Sequence, residues 1–358
     1  MSAANRGARG VVPPQKGGMS AVLSSAIARG RPLAPRRRHV PVLVTLGLFL
    51  GAFAVGAVRY PNFGSAQVFL DLFIDNGFLI VVAVGMTFVI LTGGIDLSVG
   101  SVVALSGMLC AIGTMKLHLP APIVILLVLA IGTLFGAAMG YMIHVFEVQP
   151  FIATLAGMFL ARGLCLTLSE NQISIDNSFF DALALNSLHF PGRTHLSYGA
   201  VTALVVFVIG AFVLQWTRTG RNVYAVGGNE QSALLMGLPV GRTKIQVYAI
   251  SGFCSALGGV LFALYTLSGD PTHAIGMELD AIAAVVIGGT VLTGGSGYLI
   301  GSVLGVLVLG VIKTILSFEG TLSSWWTRIA IGVLLFGFIA LQRLIGARRR
   351  PHAPAAST

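Results

Sequence analysis

Few residues in this chain have the type and spacing that chemistry needs, and most catalytic schemes fail on residue type alone. There is no Gly-x-x-x-x-Gly-Lys-[Ser/Thr] phosphate loop, nor a single Gly-Lys pair. No His-x-x-x-His pair and no cysteine cluster offers a metal site; Cys110, Cys165 and Cys254 each fall in an apolar stretch and read as packing residues. No such stretch carries the cluster of acids that ion-coupled carriers need. What remains is a short set. Asp96 and Ser98 stand where two apolar stretches meet; their expected role is to cap the helix that follows, and a polar contact with a translocated solute is the alternative. Arg162 interrupts an apolar stretch, where an arginine at the centre of a lone helix costs about 2.5–3.5 kcal/mol, so it must face the bundle interior or snorkel outward. Lys313 and Arg328 sit near helix ends and are expected to snorkel, and Trp325 with Trp326 fits an interfacial aromatic belt.

The elements that position these residues follow from composition. Of 358 residues, 55% are apolar and 9% charged, against about 25% charged in a soluble domain. That excludes an ordinary soluble enzyme. About 20 apolar residues cross a bilayer as a helix. The uncharged stretches predict an all-α membrane protein, a polytopic bundle of ten transmembrane helices near 40–58, 70–92, 97–115, 121–145, 150–169, 196–216, 244–267, 279–293, 298–317 and 325–343. The 32 uncharged residues 281–312 are too long for one span and divide at Gly294-Gly295-Ser296-Gly297. The second helix must begin close to the charged Asp71 and Asp75.

The net charge of +10 first admits a nucleic-acid partner, but there is too little polar surface for a basic stripe. Resolved by segment, the charge reports orientation. With both termini cytoplasmic, residues 1–39, 217–244 and the tail from Arg343 place 16 of 22 bases inside, while 9 of 12 acids fall outside. The domain reading is a disordered basic cytoplasmic arm at 1–39, a transmembrane domain at 40–343 and a basic cytoplasmic tail at 344–358. An organelle transit peptide is the alternative for the arm, and Met19 is a second candidate start.

Two features suit a transport pathway. Residues 92–102 (TGGIDLSVGSV) and 293–303 (TGGSGYLIGSV) match at six of eleven positions. Internal repeats are common in transporters; chance similarity between glycine-rich connections is the alternative. The loop 217–244 carries a full set of helix boundary signals. Asn229 is an N-cap, Glu230 suits the positive helix end, Gly237 fits the left-handed C′ position and Pro239 prevents continuation. The two-turn helix between them leaves Ala233, Leu234, Leu235 and Met236 exposed unless a partner or the lipid surface covers them.

At this point the motifs are recognisable. Gly85-Met86-Thr87-Phe88-Val89-Ile90-Leu91-Thr92-Gly93-Gly94-Ile95-Asp96-Leu97-Ser98-Val99-Gly100-Ser101 resembles the signature of ribose-type ABC sugar importer permeases. So do Pro150-Phe151-Ile152-Ala153-Thr154-Leu155 with Arg162-Gly163, and Ala225-Val226-Gly227-Gly228-Asn229. The resemblance runs from about 40 to 343. Residues 318–327 and 278–283 look closest to the second permease of the galactofuranose importer.

The resemblance implies a multi-pass permease of the bacterial inner membrane, not itself an enzyme, with no catalytic residue and no metal. It implies a second permease subunit, a cytoplasmic ABC ATPase that holds ATP and Mg, a periplasmic sugar-binding protein and a lipid surround. Asn229, Glu230, Ala233, Leu234, Leu235, Met236 and Gly237 would be the helix that couples to the ATPase. Thr92, Gly93, Gly94, Asp96, Ser98, Arg162, Thr293, Gly294 and Gly295 would line or hinge the pathway, and the acidic segments 170–181 and 270–280 would meet the binding protein. The rival readings are an ATPase-independent sugar facilitator or secondary carrier, and a nonconducting scaffold.

Overall fold

The structure is a computed structural model that describes residues 40–190, 194–320 and 325–347. The arm 1–39, the tail from 348 and residues 321–324 of the last motif lie outside the described residues. The described chain is mainly helical. In order it runs α1 (Val40–Arg59), α2 (Ala66–Leu91), α3 (Val99–Met115), α4 (Ala121–Val145), α5 (Pro150–Leu168), β1 (Ile173–Ser174), α6 (Ser178–Leu185), β2 (Ser187–Phe190), β3 (Thr194–Ser197) and α7 (Tyr198–Trp216). Then follow α8 (Arg218–Gly228), α9 (Glu230–Leu235), α10 (Val240–Thr266), β4 (Ser268–Gly269), α11 (Met277–Ile287), α12 (Leu299–Glu319) and α13 (Trp325–Ala347).

Every segment predicted to be a span contains a helix. Among the described residues seven helices, namely α1, α2, α4, α5, α7, α10 and α12, are long and apolar enough to cross a membrane. The others are shorter: α3 has 17 residues, α11 has 11, and the described apolar part of α13 is Arg328–Gly337. At about 1.5 Å per residue α11 covers about half of a hydrocarbon core. The predicted helix 279–293 therefore stops early. Gly288 caps α11, and Gly289, at φ +92°, takes a left-handed turn that ends it.

Two further boundaries differ from expectation. α10 begins at Val240 rather than 244, because Pro239 fixes the entry and its carbonyl accepts both the N–H and the hydroxyl of Thr243 (3.0 and 2.9 Å). α2 begins at Ala66, four residues before the predicted start, with Ser65 capping the Val68 N–H. Asp71 and Asp75 lie inside its first turns and are held by Gln67 (2.6 Å) and Tyr265 (3.2 Å).

Helices α2, α3, α10, α11 and α12 form the buried centre, and α1, α4, α5 and α7 are its rim. Lipid offers little hydrophobic drive between helices, so small residues that admit close backbone approach hold them together. The α4–α10 pair shows this: Gly132, Gly136 and Gly140 face Gly252, Ala256 and Ile245. A Cβ on Gly136 would overlap the Tyr248 carbonyl oxygen, and one on Gly252 would overlap that of Gly132. Side-chain hydrogen bonds add to the packing. Thr87 on α2 donates to Ser302 on α12 (2.8 Å), and Thr45 on α1 donates to the Ile287 carbonyl at the end of α11 (2.6 Å). Beyond the helices, the polar stretch 170–197 supplies one strand of the β1–β4 pair and both strands of the β2–β3 hairpin, small ladders that the all-α reading did not include. The three cysteines are buried and unpaired, as packing residues should be.

Candidate functional site

The two copies of the repeat meet. Thr92 ends α2, its hydroxyl on the Val89 carbonyl (2.8 Å), and Gly93 turns the chain at φ +80°. The second copy turns at Gly294 and Gly295, at φ +84° and +72°. The Gly295 N–H donates across to the Leu91 carbonyl at 2.9 Å, and a Cβ on Gly93 would lie 3.3 Å from the Thr293 carbonyl oxygen. The two turns thus lie side by side, and because α12 returns along α2, with Ser302 beside Thr87 and Gly310 beside Asn76, the two copies run in the same direction.

Asp96 is 2% exposed and fully partnered. Its Oδ1 accepts the Ser98 N–H (3.0 Å) and hydroxyl (2.6 Å), and its Oδ2 accepts the Ser251 hydroxyl from α10 (2.7 Å). The expected capping is therefore divided unequally. Asp96 caps the turn that enters α3, whereas the Ser98 side chain makes no cap bond and donates to Asp96 instead. Gly94 packs under Tyr248, whose hydroxyl donates to the Ile95 carbonyl (3.3 Å).

The loop helix forms with the predicted caps. Asn229 Oδ1 accepts the Ser232 N–H at 2.7 Å, and Gly237 adopts φ +75°. The Gly237 and Leu238 N–H groups close the helix on the Leu234 and Ala233 carbonyls (2.9 and 3.0 Å). Glu230 pairs with Lys244 at 2.7 Å. Leu234, Leu235 and Met236 are 64%, 88% and 67% exposed. Ala233 departs from expectation: it is buried against Val226 of α8 and Val240 of α10, so it holds the helix to the bundle and is not free for a partner. A cleft of about 620 Å³ flanks the exposed residues, lined by His144, Glu147, Gln149, Gln231 and Lys244. The turn between α4 and α5 thus belongs to this surface, and the sequence reading missed it; the signal available was Pro150 opening α5 after the polar Glu147 and Gln149.

Arg162 does not join the junctions. From α5 its Nη1 donates to the carbonyls of Pro271 and His273 (2.9 Å to the latter), tying α5 to the turn between β4 and α11. The arginine is structurally paired there, one of the two roles expected for it. Burial pushes the His273 imidazole below its ordinary pKa; Asp270 opposes this and the Arg162 charge reinforces it. Nearby, Lys313 pairs with Asp280 (3.2 Å), and Arg328 lies 5.6 Å over the Trp325 ring. A groove of about 760 Å³ opens between α11, α12 and α13, walled by Leu279, Ile282, Leu316, Ile331 and Leu335. Among the described residues no group of His, Cys, Asp and Glu is placed to hold a metal.

Comparison with known proteins gives the family. Residues 68–339 match the family described as branched-chain amino acid transport system / permease component. The inner membrane ABC transporter permease protein YjfF of Escherichia coli K12 is 46% identical over 307 residues, 86% of this chain and 93% of the relative. The fructose import permease protein FruG of Bifidobacterium longum is 40% identical, over 87% of this chain and 93% of its own. The ribose import permease protein RbsC of Haemophilus influenzae is 35% identical, over 89% and 96%. No solved structure matches the chain. With the match covering most of its length, the chain belongs to this permease family, as a multi-pass inner-membrane transport subunit of the ATP-binding-cassette type and not an enzyme.

Proposed function

We propose that this chain is one of two permease subunits that form the pathway of a monosaccharide importer, with α9 as the contact for a cytoplasmic ABC ATPase. One observation carries the reading: a short, doubly capped helix presents Leu234, Leu235 and Met236 to the outside of the molecule, in a family of transport permeases. Such a helix is marginal alone, and its apolar tip needs a cover. ATP and Mg belong to the ATPase, and none is bound by this chain.

The chain crosses the membrane ten times with both termini in the cytoplasm. The basic segments support this, as does the grouping of contacts at two ends. Residues 91–94, 146–149, 217–239 and 293–297 lie near one another, at what we take as the cytoplasmic end, and β1 pairs with β4 at what we take as the periplasmic one. The acidic segments 170–181 and 270–280 then face a periplasmic sugar-binding protein. ATP closure of the ATPases moves α9, and the bundle exchanges outward for inward access. The transported solute is a monosaccharide, the class named for the ribose, fructose and arabinose permeases among the relatives. The resemblance of 278–283 and 318–327 supports galactofuranose or a related sugar.

The test is Leu235→Asp. The variant is expected to insert at wild-type level, to lose co-purification of the ATPase and to lose ATP-driven uptake. Normal uptake would sink the assignment of α9. Liposomes holding this chain alone test the rival, since sugar flux without ATPase marks a facilitator. Binding measurements on the cognate sugar-binding protein decide the sugar.

A further inference from the structure

Helix α8 connects α9 to both repeat junctions, and it does so through bare backbone. One residue, the extended Asn229, ends α8 and caps α9, and Ala233 of α9 is packed on Val226 of α8. The two helices are therefore joined both covalently and by a buried contact. On α8, Tyr224 and Gly227 fall three residues apart and share a face. Tyr224 donates its hydroxyl to the Gly297 carbonyl of the second junction (2.9 Å). A Cβ on Gly227 would overlap the Leu91 carbonyl oxygen of the first junction and lie 2.6 Å from the Gly295 nitrogen of the second. Gly295 in turn sits so close to α8 that a Cβ on it would meet the Gly228 backbone at 2.8 Å. Gly294 would place one 2.7 Å from the Gly93 nitrogen and 3.0 Å from the Gly227 carbonyl oxygen.

We infer that Gly227, Gly294 and Gly295 are positioning residues of the transport cycle: they hold α8 in direct backbone contact with both junctions, so that a displacement of α9 moves α2–α3 and α11–α12 together. Side chains absorb small shifts by changing rotamer, whereas planar peptide groups in contact do not. A second feature of the joint fits a part that changes arrangement. The Thr290 hydroxyl, buried against Gly297, has no hydrogen-bond partner among the described residues, so it is free to gain one in another arrangement of the turn. The inference rests on α9 being the ATPase contact.

The joint carries its own control. A Cβ on Gly228 meets nothing within 4 Å, although it is the next residue along the same helix. The experiment uses the assembled importer with its ATPase and binding protein, and reads three quantities for each variant: ATPase co-purification, basal ATP hydrolysis, and sugar moved per ATP. Gly227→Ala is expected to keep the ATPase bound and basal hydrolysis intact, and to lose at least tenfold in sugar moved per ATP. Gly228→Ala is expected to stay within twofold of wild type. Gly295→Ala and Gly93→Ala, with added Cβ atoms at 2.8 and 3.3 Å from backbone, should fall between, in that order. If Gly227→Ala does not reach the membrane, these two carry the test. Wild-type coupling in all the assembled variants overturns the inference, and so does a loss of transport that only tracks loss of bound ATPase. Failure of the α9 reading is separate: it is seen when Leu235→Asp still binds the ATPase.

Discussion

The two copies of the repeat differ most at one matched position, where the first carries Asp96 and the second Gly297. Asp96 draws in three donors and fastens its junction to Ser251 on the central helix α10. Gly297 has no side chain to fasten. Its carbonyl accepts the Tyr224 hydroxyl, and the Thr290 hydroxyl beside it goes unpartnered among the described residues. The same Thr-Gly-Gly turn is therefore an anchored corner in one copy and, in the other, a corner held from α8. A repeat that keeps its turn while losing its anchor has changed what the corner is fixed to, not how it bends. When both corners move with α8, the first carries α10 with it through Ser251, whereas the second has no side chain to fasten it to another helix and can rearrange around Thr290.

Removing the anchor should have the largest effect. Asp96→Ala leaves the Ser98 N–H and two hydroxyls buried without their acceptor, and an unsatisfied buried group costs about 1–3 kcal/mol. We expect a clear drop in the melting temperature of the purified protein and loss of ATP-driven uptake. Asp96→Asn keeps an acceptor for Ser98 and should retain most of both. Were Asn as damaging as Ala, the charge and not the hydrogen bonding would be the anchor. Gly297→Ala should rank next. Its Cβ would meet the Thr290 hydroxyl oxygen at 2.5 Å, and the obstruction is one short side chain. Uptake is expected to fall severalfold and to recover in part when Thr290→Ala is added. An Ala at 297 as harmful as the one at 96 would erase the distinction between the corners.

What the sequence reveals about this joint depends on how local each interaction is. The caps of α9 are local: Asn229 and Gly237 act within three residues of the groups they satisfy, Pro239 ends the helix by its own ring, and all three stand where their types predict. The repeat is legible because identity at six positions survives in the letters. That its copies touch is not, because Gly295 N–H to Leu91 carbonyl is a backbone bond with no side-chain signature. Ser251 reaches Asp96 from 155 residues away and looks like any serine in an apolar helix. Arg162 announces a need for partners, but those it finds are two main-chain carbonyls that any residue could offer. Ala233 was misjudged because its cover, Val240, lies in the four residues by which α10 starts early. α8 was missed because glycines 220, 227 and 228 weaken its intrinsic helix preference, which packing against the junctions overrides.

Two smaller changes probe the unanchored corner from either side. Tyr224→Phe removes a side-chain bond that ties α8 to Gly297. Such bonds between membrane helices average about 0.6 kcal/mol, so stability should hardly change. Uptake should fall about two- to threefold, because the ring still packs and the glycine contacts remain. A fall as large as that of Asp96→Ala would mean that the second corner is anchored after all, through Tyr224.

Thr290→Val should have the least effect on stability and is the most discriminating. The two side chains have nearly the same shape, and the hydroxyl lost is one that no group among the described residues satisfies. Removing an unpaired buried hydroxyl relieves a desolvation penalty, so the resting protein should melt at an equal or slightly higher temperature. If the corner moves during transport and the hydroxyl finds a partner in the moved state, valine penalises that state alone. Uptake then falls while stability does not, a combination that a static corner has no means to produce. Unchanged uptake at raised stability would mean that Thr290 is only a packing residue and that the second corner is as fixed as the first.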